Sequence, residues 1–257
     1  MRSSTPGPAA FLFDLWYTLI YQSPAERARY ARLRRAAWER AVRAAGGTWT
    51  GASKLYPWLD AEGRRRETRG RSWSLRSQVE WWSGVTHVSL DAARIEEGVA
   101  EALRNSTVRT VPGARQLLGR LRQAGYPIGL VSNVRHEGST AIRDLLERQG
   151  WGRTFRSVVL SSDLPFAKPS PEPIRRCLAE LGVPGRRAVH VGDLPTDLEA
   201  AGKAGVPALL FVGTDRWSPS RDRLQRRRYL GAPMAVRRLR DVPGQARLLF
   251  LSTLESD

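Results

Sequence analysis

The sequence predicts an α/β fold in which a parallel-sheet core is interrupted by an all-helical insert. Three observations carry that expectation. From Val111 onward short apolar runs alternate with amphipathic segments, the rhythm of right-handed crossovers between parallel strands. One isolated apolar, β-prone run, residues 11–13, stands far ahead of that alternation. Between the two lies a stretch with helical signals and no convincing strand, so the first strand reaches its sheet partners only across an insertion. The expected division is residues 1–10 as a leader, 11–21 with 107–250 as a discontinuous α/β core, and 22–106 as the helical insert.

Residues 1–10 include Ser3, Ser4, Pro6, Gly7 and Pro8 and offer little to bury, which suits a mobile leader. Residues 11–13 read as a buried strand, rich in aromatics and unbroken, that ends in Asp14. A carboxylate there lies at the C-terminal edge of the sheet, where open α/β sheets bind their ligands. Ser23-Pro-Ala-Glu26 supplies a cap, a proline suited to the first turn and a capping-box acid. A helix is therefore expected over 24–45, ended by Gly46-Gly47. Tyr56, Trp58 and Leu59, then Val79, Trp81 and Trp82, then Ile95, Val99 and Leu103 mark further helices, the last begun by Ser89 or Asp91. Trp49, Trp58, Trp73, Trp81 and Trp82 read as the core of this insert.

Past the insert, Pro112 opens a helix that carries Leu117, Leu118 and Leu121 and closes at Gly125. A strand is expected over 126–131, followed by Ser132-Asn133. Helix over 140–149, strand over 155–160 and helix over 171–181 come next, with Cys177 a half-buried thiol on the last. Strand 188–191, helix 198–204 and strand 208–212 complete the alternation, and residues from 251 on are expected to fray.

Composition narrows the class. Hydrophobic and charged fractions of 41% and 26% are those of a soluble globular protein. A single cysteine excludes an internal disulfide and a structural zinc–thiolate centre, and it fits a reducing cytoplasm. No apolar run reaches the roughly 18 residues of a membrane-spanning helix, and Asp14 interrupts the only N-terminal apolar stretch, which argues against a signal peptide. The formal charge is +17, and of 42 basic residues only Lys54, Lys168 and Lys203 are lysines, leaving 39 arginines. That bias reads as a solvated surface, densest over 221–228 and 237–240. A nucleic-acid partner is not expected, because no aromatic or glycine pattern of a nucleic-acid module accompanies the charge.

Four short stretches carry the chemistry, and each follows a predicted strand. They are Asp14 in Phe11-Leu-Phe-Asp-Leu-Trp-Tyr-Thr18, Ser132 in Gly129-Leu-Val-Ser-Asn133, Lys168 in Ala167-Lys-Pro-Ser-Pro171, and Asp193 with Asp197 in His190-Val-Gly-Asp-Leu-Pro-Thr-Asp197. Their order and spacing resemble the four motifs of the haloacid dehalogenase-like hydrolases over about residues 9–213, and the insert resembles that family's C1-type cap on a Rossmann-like core. The resemblance implies that Asp14 is the nucleophile. It also implies that Asp193 holds Mg²⁺ with Asp14 and the backbone carbonyl of Trp16, and that Ser132 and Asn133 bind the phosphoryl group. Lys168 would steady nucleophile and phosphate, and Asp197 matches a second acid of the fourth motif. The chemistry asks for the same types: a carboxylate attacking phosphorus must approach a dianion, and a divalent cation with a lysine offsets that repulsion. The implied activity is Mg²⁺-dependent hydrolysis of a small phosphorylated metabolite through an aspartyl-enzyme intermediate.

One position departs from the family pattern. Its phosphatases carry a second Asp two residues after the nucleophile, which protonates the leaving group and then activates water; here that residue is Trp16, whose indole exchanges no proton near neutrality. General acid–base help is worth on the order of 10²–10⁴-fold. His136 is a candidate substitute, and Thr18 a possible auxiliary. Tyr17 is a poorer choice, since on a continued strand its side chain points away from that of Trp16. The alternative reading is a protein of this fold that binds a phosphorylated ligand or a partner without turnover. A dehalogenase is disfavoured because that chemistry needs no metal, whereas Asp193 looks like a metal ligand. A monomer or homodimer is expected.

Overall fold

The computed structural model describes residues 8–232 and 234–254. In chain order the strands among them are β1 (Ala10–Phe13), β2 (Ile20–Tyr21), β3 (Arg109–Thr110), β4 (Ile128–Ser132), β5 (Ser157–Leu160), β6 (Ala188–Gly192), β7 (Ala208–Phe211) and β8 (Ala235–Val236). Six of these form one parallel sheet in the order β5-β4-β1-β6-β7-β8. All four residues of β1 are buried, as suits an unbroken apolar strand with a neighbour on each side. The chain order reverses at β1, with β4 and β5 to one side and β6 to β8 on the other, so Asp14 leaves the sheet at its switch point.

Alternation along β1 divides the core. Phe11 and Phe13 enter one apolar cluster, Ala10 and Leu12 another. Helices cover both faces, in the doubly wound manner that parallel strands require.

Between β2 and β3 lie α1 (Pro24–Ala44), α2 (Trp49–Ala52), α3 (Tyr56–Thr68), α4 (Leu75–Thr86) and α5 (Ala92–Arg104). They share a separate apolar cluster built on Trp38, Trp49, Trp73, Trp82, Ile95 and Val99, with Trp58 and Trp81 partly buried against it. Trp58 and Trp81 stack at 4.2 Å between centroids, and Trp38 lies 5.1 Å from Trp82. Asp91 caps α5 by accepting from the amides of Ala93 and Arg94. The rest of the chain supplies α6 (Ala114–Gln123), α7 (Ser139–Arg148), α8 (Glu172–Leu181), α9 (Pro195–Lys203), α10 (Ser220–Arg226) and α11 (Val242–Leu254).

Several boundaries differ from the sequence reading for physical reasons. The strand begins at Ala10, which therefore belongs to the sheet, and the Ala9 amide just before it donates to Arg187 O at 2.6 Å; the expected leader otherwise falls largely on residues 1–7, outside those described. Ser23 caps α1 as expected, but the Glu26 carboxylate leaves the expected capping box and accepts from Thr107 N at 3.0 Å, across the two ends of the insert. The antiparallel pair Ile20↔Thr110 and Tyr21↔Arg109 joins the same ends and was too short to read. Gly113, at φ 88°, sets the start of α6 two residues past Pro112. Helix α9 starts at Pro195 rather than 198 because Asp197 accepts from Leu194 N at its first turn. Helix α11 continues to Leu254 where fraying was expected, since Val242, Ala246 and Phe250 recur at helical spacing and bury against the sheet. Cys177 is wholly rather than half buried, and burial pushes its thiol up to about 12.

Candidate active site

Parallel register levels the strand ends. Phe13 pairs with Leu130 on one side and Val191 on the other, and Asp14 N donates to Val191 O at 2.9 Å. The residues that follow β1, β4 and β6 therefore converge on one edge. Lys168 reaches them from the loop before α8, its ammonium 2.7 Å from Asp14 Oδ1, 2.5 Å from Asp197 Oδ1 and 2.9 Å from Val131 O. Three donors meet three acceptors with the side chain 3% exposed.

Burial works to discharge each of these groups; pairing overcomes it at Lys168 and Asp197 but not at Asp14 or Asp193. It lowers Lys168, but Asp14 and Asp197 outweigh it and hold the ammonium above its ordinary value. Burial raises Asp197, yet Lys168 and His190, whose Nε2 lies 3.0 Å from Oδ1, bring it below the usual carboxylate range. For Asp14 burial prevails over Lys168, and the carboxyl is raised. Asp193 is raised well above its ordinary value, by burial first and by the negative charge of Asp14 next, against Arg226. Gly192 makes the crowding possible, since a Cβ there would come 2.1 Å from Asp197 Cγ.

The other candidates fall into two groups. Ser132 lines the same cavity, and its buried hydroxyl has no hydrogen-bond partner among the described residues. Asn133 is also there, but both ends of its amide are engaged: Nδ2 donates to Lys168 O at 2.9 Å and Oδ1 accepts from Lys168 N at 2.8 Å. It clips two loops together. Thr18 is fully buried with Oγ1 a long 3.5 Å from Asp14 Oδ2. His136 faces the cavity, yet its Nε2 lies 2.8 Å from Asp60 Oδ1, and burial and Arg34 push it down to about 4. A neutral imidazole tied to Asp60 is a poor proton donor near neutrality.

Tyr17 requires a correction. The strand ends at Phe13, and Tyr17 turns left-handed at φ 59°, so it lines the cavity with Trp16 instead of pointing away from it. Its hydroxyl accepts from Arg27 Nη1 at 2.8 Å and its carbonyl from Thr214 Oγ1 at 2.7 Å.

Sequence reasoning missed Arg226. This fully buried arginine on α10 donates from Nη1 to Asp193 Oδ2 at 2.6 Å and to Asp193 O at 3.1 Å, and pairs with Asp215 at 2.8 Å. Nothing distinguished it within an arginine-dense stretch. Its burial removes it from the solvated surface to which that stretch was assigned.

The cavity measures about 530 Å³. Asp14, Trp16, Ser132, Lys168 and Asp193 form its floor, and Arg34 and Asp60 from the insert with Arg221, Asp222 and Gln225 from α10 form its wall. The floor suits a hard divalent cation in one respect: Asp14 and Asp193 are oxygen donors at the sheet edge, and the negative charge of Asp14 raises the Asp193 carboxyl. Among the described residues no group of three or more Asp, Glu, His or Cys is placed to hold a metal, so a third protein ligand would have to be a main-chain carbonyl such as that of Trp16. No helix of the described residues is long and apolar enough to cross a membrane.

Comparison with known proteins gives concordant results. A profile of the haloacid dehalogenase-like hydrolases matches residues 8–205. Phosphoglycolate phosphatase of Rhodospirillum rubrum is 41% identical over 100 residues, 39% of this chain and 40% of that protein; pyrophosphatase PpaX of Bacillus velezensis is 36% identical over 94 residues, 35% of this chain and 40% of that protein. The aligned region thus spans about two fifths of these relatives. Among solved structures, a HAD phosphatase from Thermococcus onnurineus superposes with a TM-score of 0.58 at 19% identity, over 91% of this chain and 95% of that one. The β-phosphoglucomutase of Clostridium difficile also gives 0.58, at 15% identity over 96% and 99%. At such identities these structures establish the fold.

Proposed function

Because the chain belongs to the haloacid dehalogenase-like hydrolases, we propose that it is a Mg²⁺-dependent phosphohydrolase acting on a small phosphorylated metabolite through an aspartyl-phosphate at Asp14. The observation that carries the reading is the buried triad Asp14–Lys168–Asp197 beside the unpartnered hydroxyl of Ser132. Lys168 orients the Asp14 carboxylate, and Asp197, held ionised, keeps Lys168 charged. Ser132 Oγ, lacking an internal partner, is free to donate to a phosphoryl oxygen. Asn133 serves the site by fixing the Lys168 backbone. Mg²⁺, held by Asp14, Asp193 and the Trp16 carbonyl, would screen the phosphoryl charge from the attacking carboxylate.

Residues 22–106 then act as the cap over a core of 11–21 and 107–250. Arg64 and Arg221, which line the cavity and have no ion pair among the described residues, favour a substrate with a second anionic group. Phosphoglycolate, the substrate in the relatives' name, has one and is the first compound to assay. A cytoplasmic enzyme, monomeric or homodimeric, is part of the same proposal, and the single cysteine suits a reducing compartment. The test is release of inorganic phosphate from a panel of phosphorylated metabolites with Mg²⁺, using Asp14→Asn as control. Turnover that survives EDTA or that substitution overturns the proposal. Trp16 favours a second reading, a ligand-binding protein without turnover, in which phosphate esters bind but no phosphate is released.

A further inference from the structure

Resting on the phosphohydrolase reading, we propose that Asp222 is the proton donor to the leaving group and the proton acceptor for the attacking water, in place of the carboxylate that Trp16 displaces. Seven acidic residues line the cavity, and six are committed. Asp14 and Asp197 meet Lys168, Asp193 meets Arg226, Asp60 meets His136 and Arg34, Glu67 pairs with Arg135, and Glu137 accepts from Tyr30. Asp222 alone among them makes no side-chain hydrogen bond or ion pair within the described residues, although it is half buried. An unengaged carboxyl inside a reaction cavity is a group available to a ligand.

Its position follows from the Arg226 anchor. Arg226 is fixed to Asp193 through Nη1, and Asp222 lies one helical turn earlier on α10, on the same face. The helix is thereby turned so that the face carrying Asp222 looks into the cavity shared by Asp14 and Trp16. The charged and titratable groups around Asp222 are Arg226 and Arg221 on α10, Arg27 on α1, Arg135 after β4, Asp193 after β6 and Tyr17 after β1. Burial raises the Asp222 carboxyl above its ordinary value and prevails over the arginines, which favours a proton-carrying form at higher pH than usual. The other two candidates are poorer: burial raises the Tyr17 hydroxyl, which accepts from Arg27, above its ordinary value and so holds its proton more tightly, and His136 is tied to Asp60.

The proton balance closes over two steps. In the first, Asp14 Oδ bonds to phosphorus, the bond from phosphorus to the ester oxygen breaks, and that oxygen takes the Asp222 proton and leaves as an alcohol. In the second, water gives a proton to the Asp222 carboxylate as its oxygen bonds to phosphorus, and the phosphorus–Asp14 bond breaks. Hydrogen phosphate leaves, and Asp14 and Asp222 return to their starting states.

The experiment compares wild type with Asp222→Asn and Asp222→Glu on an aryl phosphate, whose phenolate leaves without a proton, and on a plain alkyl phosphate. In Asp222→Asn the alkyl ester should lose on the order of 10²–10⁴-fold in turnover. The aryl ester should still give a rapid burst of about one phenolate per enzyme before stalling at phospho-Asp14, the count set by one nucleophile per chain. The fall in alkyl turnover as pH rises through the Asp222 value should vanish in Asp222→Asn and be restored in part by Asp222→Glu. Unchanged alkyl turnover, or an aryl burst lost in the same proportion as alkyl turnover, overturns the role of Asp222 while leaving the catalytic reading standing. Wild type that forms no phospho-Asp14 from either ester overturns both.

Discussion

The floor and the wall of the cavity are built on opposite principles. On the floor Asp14, Lys168, Asp193 and Asp197 are each no more than 7% exposed, and every charge lies against a buried opposite charge. On the wall the exposure is mixed: Arg34 is buried, but Asp60 has 34% side-chain exposure, Asp222 is half buried and Arg221 is exposed. A buried, paired charge is fixed in place by the penalty of unpairing it, whereas a half-exposed one can exchange its partner for water or ligand. On the proposed function, the floor would hold a reacting group in one geometry and the wall would recognise what arrives. Arg226 ties α10 to the floor at Asp193, and the loop after β4 is tied to the insert through His136 to Asp60, Arg135 to Glu67 and Glu137 to Tyr30.

The largest effect should come from breaking the floor. Lys168→Met leaves Asp14 and Asp197 buried without their cation, and about 3–5 kcal/mol of stability should be lost together with activity, as read by denaturant unfolding. A loss below about 1 kcal/mol would place the floor in the same class as exposed ion pairs.

The ties come next. His136 is pushed down to about 4, so the unfolded chain binds a proton that the folded one excludes between that value and 6.5. Its contribution is complete above pH 6.5 and is lost as pH falls towards 4, roughly 3 kcal/mol in all. His136→Gln should flatten that part of the stability–pH curve, and an unchanged slope would assign acid sensitivity elsewhere. Arg226→Met should cost about 3 kcal/mol without metal, because Asp193 then stays buried beside Asp14 with no partner. Added Mg²⁺ should restore part of the loss, measurable as a larger metal-induced rise in melting temperature than in wild type. An equal rise in both would mean that Arg226 and the metal do not share Asp193.

The smallest effect should follow from adding an acid to the floor opposite Asp222 on the wall. If Asp222 already supplies the proton, Trp16→Asp raises alkyl phosphate hydrolysis by less than about tenfold, some 1.4 kcal/mol. A larger gain would show that a missing acid limits the wild type.

Legibility in the sequence follows the same division. The floor could be read because its residues sit at strand ends, and strand ends are set by local apolar runs such as 11–13 and 188–191, with register aligning them. The insert's tryptophan core was legible at Trp49, Trp73 and Trp82, which are buried in it, while Trp58 and Trp81 only lie against it and Trp38 joins it unread. The wall was hidden. Arg226 and Asp222 reach the site through a contact spanning 33 residues, and α10 has only seven residues in a stretch where arginine is the background composition. Tyr17 was misread because a left-handed turn right after β1 is invisible to a period-two pattern. Asn133 was placed in the right location, but its engagement with the Lys168 backbone depends on a loop 35 residues away.

The central claim is that Asp14 carries the phosphoryl group. Wild-type protein mixed with Mg²⁺ and a turned-over phosphate ester, quenched in acid within the first turnover and digested, should yield one phosphorylated peptide, the one containing Asp14. Borohydride treatment of the quenched protein should convert that side chain to homoserine, and Asp14→Asn should give neither product. Steady turnover with no phosphorylated peptide, or with the phosphate on another residue, would contradict the account.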